Sequence, residues 1–440
     1  MSLLRRCALA CSLQAKKSCF QKPKSAAYSL ARLVFLRLPP NTREAVRRQR
    51  RKFYRWMRGL PPLSTTDLNW KAFSEQVLSR RHQYKGIFVQ EPTIEWNAPL
   101  YQRPQHMSAA LGRRGYLVIY KTYNLSGDDV DGYREISQNV WLTNQEEVND
   151  IEGVVRSFYS TAYTNWPDLM LKNSNKGILV YEYIDHVDPL ISGSDDIIRR
   201  LQEMKDFSFR GGVDYIVVSA RKLEQEAVEA VGREKVILIP NGVDTRHYRD
   251  SIHQRTALPH NLMSFRSKYS NIVGYFGAIA PWLWYKAISE LVQSRPDLGF
   301  CFIGAEYYEG CINQLPQSEN ALYLGTVSYK TLPSFARQFD VCWIPFVPGE
   351  IARTTSPLKL FEYFALEKPV VATSEMLECV AFKEVFRGDS AKALSHAIDE
   401  AIKVKSSHEF KMRLAQLADS NDWDERARVM ELVFADGQRA

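Results

Sequence analysis

Lys359 and Glu362 lie three residues apart in the segment Ser356-Pro-Leu-Lys-Leu-Phe-Glu, whose opening residues are those that start helices. Ser356 suits the N-cap and Pro357 the first helical position, where a missing N–H has no intrahelical partner to lose. A helix N-terminus presents unpaired N–H groups and a partial positive charge, so with Lys359 in the first turn it forms an anion site, and phosphate is the natural anion. Glu362, one turn deeper, is placed to accept hydrogen bonds from hydroxyls beside that phosphate, as a ribose would present them. Together they point to a nucleoside diphosphate. The alternative is a capped surface helix on which Lys359 and Glu362 merely pair at i, i+3.

The elements that must position these groups are legible around them. Leu358, Phe361 and Ala365 fall at helical spacing and are expected to face the core; Pro369 stops the helix and opens a short buried strand. From Gly86 onward buried strands alternate with helices, as in a doubly wound α/β protein: Gly86–Val89, Tyr116–Tyr120, Gly177–Tyr183, Val213–Ser219 and the run from Val236, then Asn271–Phe276, Gly299–Ile303, Ala321–Leu324 and Phe339–Ile344. The strand Gly177–Tyr183 leads into Asp185 and His186, two proton-handling side chains at the carboxyl edge of a sheet; a capping Asp and a surface His are the competing reading. Gly274 and Gly277 would let a strand-to-helix turn approach a phosphate closely. Arg103, at a helix start, is a candidate for an anionic acceptor. The loop Gly127–Gly132 carries three Asp and reads as a solvated turn.

The totals narrow the class. The chain has 440 residues, enough for two domains and extensions, with 45% hydrophobic and 25% charged residues. Its net charge of +8 is unevenly spread. Sixteen of the 58 Lys and Arg fall in Met1–Leu60 against one of the 50 acids, leaving 42 basic and 49 acidic residues in the rest. A basic stretch interleaved with Phe53, Tyr54, Trp56 and Met57 fits an anionic membrane surface; a presequence, a nucleic-acid arm and a disordered tail are the other readings. Seven cysteines show no zinc-ligand spacing, which argues for a reducing compartment and no structural metal. The first strand is not followed by G-x-G-x-x-G, which argues against a dinucleotide dehydrogenase.

Two stretches carry a family resemblance. Pro240-Asn-Gly-Val-Asp244 resembles the joint between the halves of GT-B glycosyltransferases, and Ser356–Thr373 resembles the C-terminal signature of their retaining, family-four (group 1) members. In that pattern two Glu stand eight positions apart; Glu362 matches the second, while the first position is Thr354, with Glu350 and the Thr354 and Thr355 hydroxyls nearby as substitutes. The turn Gly277–Trp282 resembles a subgroup with G-x-x-x-x-W, in which the usual Arg/Lys clamp is absent. The resemblance implies a GT-B fold: two Rossmann-like parallel-sheet domains facing a cleft, with a basic N-terminal extension. The expected boundaries are an extension at 1–80, an acceptor domain at 81–250, a nucleotide-sugar donor domain at 251–405, and C-terminal helices at 406–440 packing back toward the first domain.

It implies donor contacts at Gly277, Thr326, Val327, Arg353, Thr355, Ser356, Lys359 and Glu362, with Thr326 and Val327 at the nucleobase. Asp185, with His186 second, faces the reaction centre beside Lys359. The implied reaction moves a sugar from a nucleoside-diphosphate sugar to a hydroxyl of a glycan or lipid-linked acceptor in cell-envelope polysaccharide or glycolipid synthesis. Retention of configuration is expected, with no metal, no other cofactor and no nucleic-acid partner. The expected location is the cytoplasmic face of the cell membrane, held through residues 1–60. The competing expectation is a non-catalytic protein of the same fold acting as a membrane-bound partner.

Overall fold

Strands that are apolar on both faces need a helix layer on each side, and the alternation read from the sequence builds two such layered sheets. The structure, a computed structural model, describes residues 67–98, 101–124, 127–163, 177–251 and 256–435. In the first lobe the strands are β1 Ile87–Gln90, β2 Leu117–Lys121, β3 Tyr133–Ser137, β4 Val140–Thr143, β5 Val154–Tyr159, β6 Gly177–Tyr183, β7 Tyr215–Val218 and β8 Val236–Leu238. Their order is β3-β4-β2-β1-β5-β6-β7-β8. All pairings are parallel except β3 with β4, so the parallel sheet expected for this lobe is in fact mixed at one edge.

The second lobe has β9 Ile272–Phe276, β10 Gly299–Ile303, β11 Ala321–Tyr323, β12 Val341–Ile344, β13 Val370–Thr373 and β14 Val385–Gly388, in the order β11-β10-β9-β12-β13-β14, all parallel. In each sheet the chain leaves the middle in one direction and later returns to extend the other, so the order reverses between β1 and β5 and between β9 and β12. Ligands of open α/β sheets bind at the carboxyl ends of strands at such reversals.

Two chain segments cross between the lobes side by side. The Val243 N–H donates to the Asn421 carbonyl, and the Trp423 N–H donates back to Val243, both at 3.0 Å. Asp244 caps the helix Thr245–Asp250 by accepting from the His247 N–H at 3.1 Å. The helix His408–Ser420 stays with the second lobe, burying Phe410, Leu414 and Ala418 in its core. Only the helices Trp423–Met430 and Leu432–Ala435 return to the first lobe, where Trp423, Ala427, Met430 and Val433 are buried and Arg113 pairs with Asp424 at 2.6 Å. The return is therefore made by the second part of the expected 406–440 segment.

Two further expectations change. Residues 67–80, assigned to the extension, are part of the first lobe: the helix Trp70–Gln76 buries Phe73, which stacks on Tyr133 with ring centroids 4.0 Å apart. The basic stretch 1–60 lies outside the described residues. The Gly127–Gly132 loop is not a solvated turn, because Asp128 is fully buried and accepts from the Trp96 and Asn97 N–H groups and the Thr122 hydroxyl. It holds the loop after β1 in place.

Candidate active site

The helix that carries Lys359 runs from Leu358 to Ala365, one residue later than expected, with Pro357 at the N-cap. Ser356 does not cap it. Its hydroxyl accepts from the Asn241 N–H at 3.1 Å and its carbonyl accepts from the Asn241 side-chain amide, tying the helix start to the joint between the lobes. The helix is buried on more than one face: Leu360, Phe361, Tyr363 and Phe364 are in the core, whereas Leu358 and Ala365, expected there, are half-buried. The aromatic packing fixes the helix axis and with it the positions of Lys359 and Glu362.

Lys359 Nζ makes no hydrogen bond or ion pair with the described residues. It sits 5.4 Å from the ring centre of Tyr275 and 5.2 Å from that of Phe346, held by the negative faces of the two rings. It also borders the turn after β9. Gly277 has φ +140°, and a Cβ there would come within 2.7 Å of Lys359 Cε, so only glycine gives both the backbone shape and the room. Burial draws the Lys359 amine down to about 8, against the raising influence of Glu362, Cys379 and Asp185. A half-buried cation without a hydrogen-bonding partner among the described residues is poised for an anion.

Asp185 follows β6 across the cleft. Burial raises its carboxyl to about 7, opposed by the charges of Arg103 and Lys359. Glu362 is buried and raised to about 7 by the same cause, opposed by the Tyr248 hydroxyl that faces it and by Lys359. The structure thus brings Asp185, Gly277 and the helix carrying Lys359 and Glu362 together from three stretches of the sequence. Both carboxyls bind protons in the native state that an unfolded chain has already released, so their contribution to stability falls as pH rises from about 4 to about 7.

The remaining candidates are distributed differently. His186 is half-buried beside Tyr183, 3.5 Å from its hydroxyl, and its charge acts on Glu350. Arg353 pairs with Glu375 at 2.9 Å and with Glu350 at 3.5 Å. The Thr354 and Thr355 hydroxyls donate to the Glu350 and Ile351 carbonyls, each at 2.7 Å, so neither replaces the missing carboxylate. Glu350 itself pairs with Lys222 of the first lobe. Thr326 is exposed and Val327 half-buried in the loop after β11; two residues on, Tyr329 is half-buried and near Glu362.

Arg103 is the clearest correction. Its side chain is 2% exposed, pairs with Glu182 at 2.9 Å, and donates to the Ile239 carbonyl at 2.8 Å, so it is built into the joint and does not wall the cleft. Its place at a helix start resembled a surface anion site, but the chain wraps that start beneath the crossing segments. The tyrosines around Glu362, namely Tyr248 and Tyr329, and the rings flanking Lys359 were missed, because isolated aromatics carry no spacing signal.

The fold is that of the GT-B glycosyltransferases. Residues 270–403, which hold all six described strands of the second lobe, match the family described as Glycosyl transferases group 1. The chain is 25% identical over 259 residues to the putative teichuronic acid biosynthesis glycosyltransferase TuaH of Bacillus subtilis, a match covering 56% of this chain and 64% of that protein. The chain therefore spans under two thirds of the length of that curated relative. Among solved structures it is similar to sucrose-phosphate synthase from Thermosynechococcus elongatus, with a TM-score of 0.57, 14% identity, and 80% of this chain and 99% of that one covered. Anabaena HepE in complex with UDP and glucose gives 0.53 at 13% identity, covering 79% and 99%.

Proposed function

We propose that the chain is a glycosyltransferase that moves a sugar from a nucleoside-diphosphate sugar to a hydroxyl of a glycan or lipid-linked acceptor in cell-envelope polysaccharide or glycolipid synthesis. The observation that carries this is the half-buried Lys359 amine, without a hydrogen-bonding partner among the described residues, lying between two aromatic rings beside Gly277, with Asp185 near and Glu362 one helical turn away. The diphosphate lies at the helix start against Lys359, and the ribose hydroxyls meet Glu362. Similarity to TuaH, a putative teichuronic acid biosynthesis glycosyltransferase, supports the polysaccharide setting, and the UDP bound by Anabaena HepE supports a nucleotide-sugar donor.

In a retaining transfer the bond from the anomeric carbon to the phosphate oxygen breaks, and a bond to the acceptor oxygen forms on the same face. The acceptor proton passes to the departing phosphate oxygen. Charge builds on the diphosphate, where Lys359 and the helix N–H groups are already oriented, so in this reading no metal is required. Asp185, half-protonated near neutral pH, orients the acceptor or sugar hydroxyls by donating or accepting a hydrogen bond.

A pH dependence follows from the Lys359 amine. Below about 8 it is charged and attracts the diphosphate; above that value the free protein loses the charge, so affinity for UDP weakens by up to about tenfold per pH unit. Calorimetry with UDP from pH 8 to 9.5, above the range in which Asp185 and Glu362 titrate, is expected to show that slope in the native chain and a much shallower one in Lys359→Met.

A second reading, a non-catalytic protein of this fold, is favoured by Thr354 at the first Glu position and by Lys286 being the one charged residue in the turn from Ala278 to Lys286. Calorimetry with UDP, GDP and dTDP separates the two, since a scaffold needs no nucleotide affinity. A nucleotide-sugar hydrolysis screen then names the donor.

We also place the protein at the cytoplasmic face of the cell membrane, held by the basic segment Met1–Leu60. Removing that segment is expected to release the chain from vesicles containing anionic lipid while UDP binding is kept. Vesicle binding that survives the truncation would refute the placement.

A further inference from the structure

A continuous run of aromatic rings leads from Lys359 out of the cleft. Lys359 Nζ lies over Phe346; the Phe346 and Trp282 ring centroids are 6.3 Å apart, Trp282 and Tyr307 4.7 Å, and Tyr307 and Tyr308 4.8 Å. Trp282 and Phe346 are packed against the second-lobe core, but Tyr307 and Tyr308 are 41% and 37% exposed. Both tyrosines follow β10, at the carboxyl end of its sheet, and thus on the edge where the donor is held.

The first lobe supplies the opposite wall. The Tyr307 hydroxyl donates to the Ile191 carbonyl at 2.7 Å, in the short helix Pro189–Ser192 that follows Asp185. Gly193 passes so near the Tyr308 hydroxyl that a Cβ there would lie 3.8 Å from it. The rings therefore run from Lys359 to the surface where the second lobe meets the short helix that follows Asp185. Buried aromatics need no further account; two adjacent rings left partly in water form a contiguous patch, the kind of surface that takes a ligand.

We propose that Tyr307 and Tyr308, backed by Trp282, form a stacking platform for a pyranose ring of the acceptor next to its reacting hydroxyl. A sugar ring has an apolar C–H face and a rim of hydroxyls. The tyrosine rings take the first, and the Tyr308 hydroxyl, with the acceptor lone pair left on the Tyr307 hydroxyl, offers partners to the second. A donor sugar is tethered through its diphosphate beside Lys359; a ring farther out along the same aromatic path belongs to the acceptor. This inference rests on the glycosyltransferase reading and goes further by assigning the acceptor subsite and its chemical class.

Saturation-transfer NMR on the full chain, saturated with UDP, tests it with the methyl pyranosides of glucose, galactose, mannose, N-acetylglucosamine and glucuronic acid. At least one glycoside is expected to bind, with the strongest transfer to the protons of one ring face. Tyr307→Ala and Tyr308→Ala are each expected to weaken that binding at least about tenfold while calorimetric UDP affinity changes less than about twofold, tenfold being the scale of one lost aromatic contact. Tyr307→Phe keeps the ring and loses the bond to Ile191, so it retains glycoside binding if the ring is a platform and loses it if Tyr307 only fastens the lobes together. Absence of binding by every glycoside, binding that persists in both alanine variants, or loss in the Phe variant equal to that in Ala would overturn the proposal. Failure of UDP itself to bind would instead remove the glycosyltransferase reading beneath it.

Discussion

Lys359→Ala is expected to lower turnover about 10²- to 10³-fold, the scale of removing one oriented donor to a developing anion. The amine sits between Tyr275 and Phe346 without a hydrogen-bonding partner, so removing it breaks no structural contact beyond the two ring faces. The loss should therefore appear in catalysis and not in folding: circular dichroism and thermal midpoint stay close to those of the parent. Gly277→Ala gives an independent route to the same effect. A methyl at Gly277 collides with Lys359 Cε and strains a backbone at φ +140°, displacing the amine without deleting it. Hydrolysis and transfer assays with the donor found by screening check both variants. Turnover unchanged in folded Lys359→Ala would refute the assignment of the phosphate site.

Much of this arrangement was readable from residue order, and the failures have identifiable causes. Strands β1, β2, β6, β7, β9, β10, β12 and β13 announced themselves as apolar runs because both faces are covered. Strand β5 did not, although it is central, because Arg156 interrupts Val154–Tyr159. The interruption is tolerated through a pairing with Glu91 at 2.6 Å that no local pattern reveals. The β3–β4 hairpin is half polar and sits at an edge, where periodicity is weakest. At the site, Lys359 and Glu362 were legible because one helix sets their relation. Asp185 was legible because it ends a buried strand.

The tyrosines at Glu362 and the rings from Phe346 to Tyr308 come together only through the tertiary path of β9, β10, β12 and the joint. Ser356 and Thr355 show a different difficulty. Their types suit phosphate contacts, but the Thr355 hydroxyl donates to the Ile351 carbonyl and the Ser356 hydroxyl accepts from the Asn241 N–H with its own proton still to give, and a residue type does not tell which partner it will find.

The second large effect is expected at Arg103, where the corrected role has its own consequence. Arg103 and Glu182 are 2% and 0% exposed in their side chains, and Glu182 also accepts from the Ser157 hydroxyl at 2.7 Å. Arg103→Ala leaves a buried carboxylate with its cation gone and frees the Ile239 carbonyl, a loss on the order of 3–5 kcal/mol. Arg103→Lys keeps the charge but not the fork that reaches both Glu182 and the joint, so it recovers part of that loss. Urea titrations check the stability change. If Arg103 instead bound an anionic acceptor, Arg103→Ala would leave the urea midpoint in place and raise the acceptor KM alone. Double replacement by Arg103→Met and Glu182→Gln removes both charges at once and should be less destabilising than Arg103→Ala, since no unpaired ion is left buried. A double variant as unstable as the single would mean that the cost lies in the contacts to Ile239, Pro240 and Asn241, and that the joint is held mainly by hydrogen bonds from the guanidinium to the crossing chain.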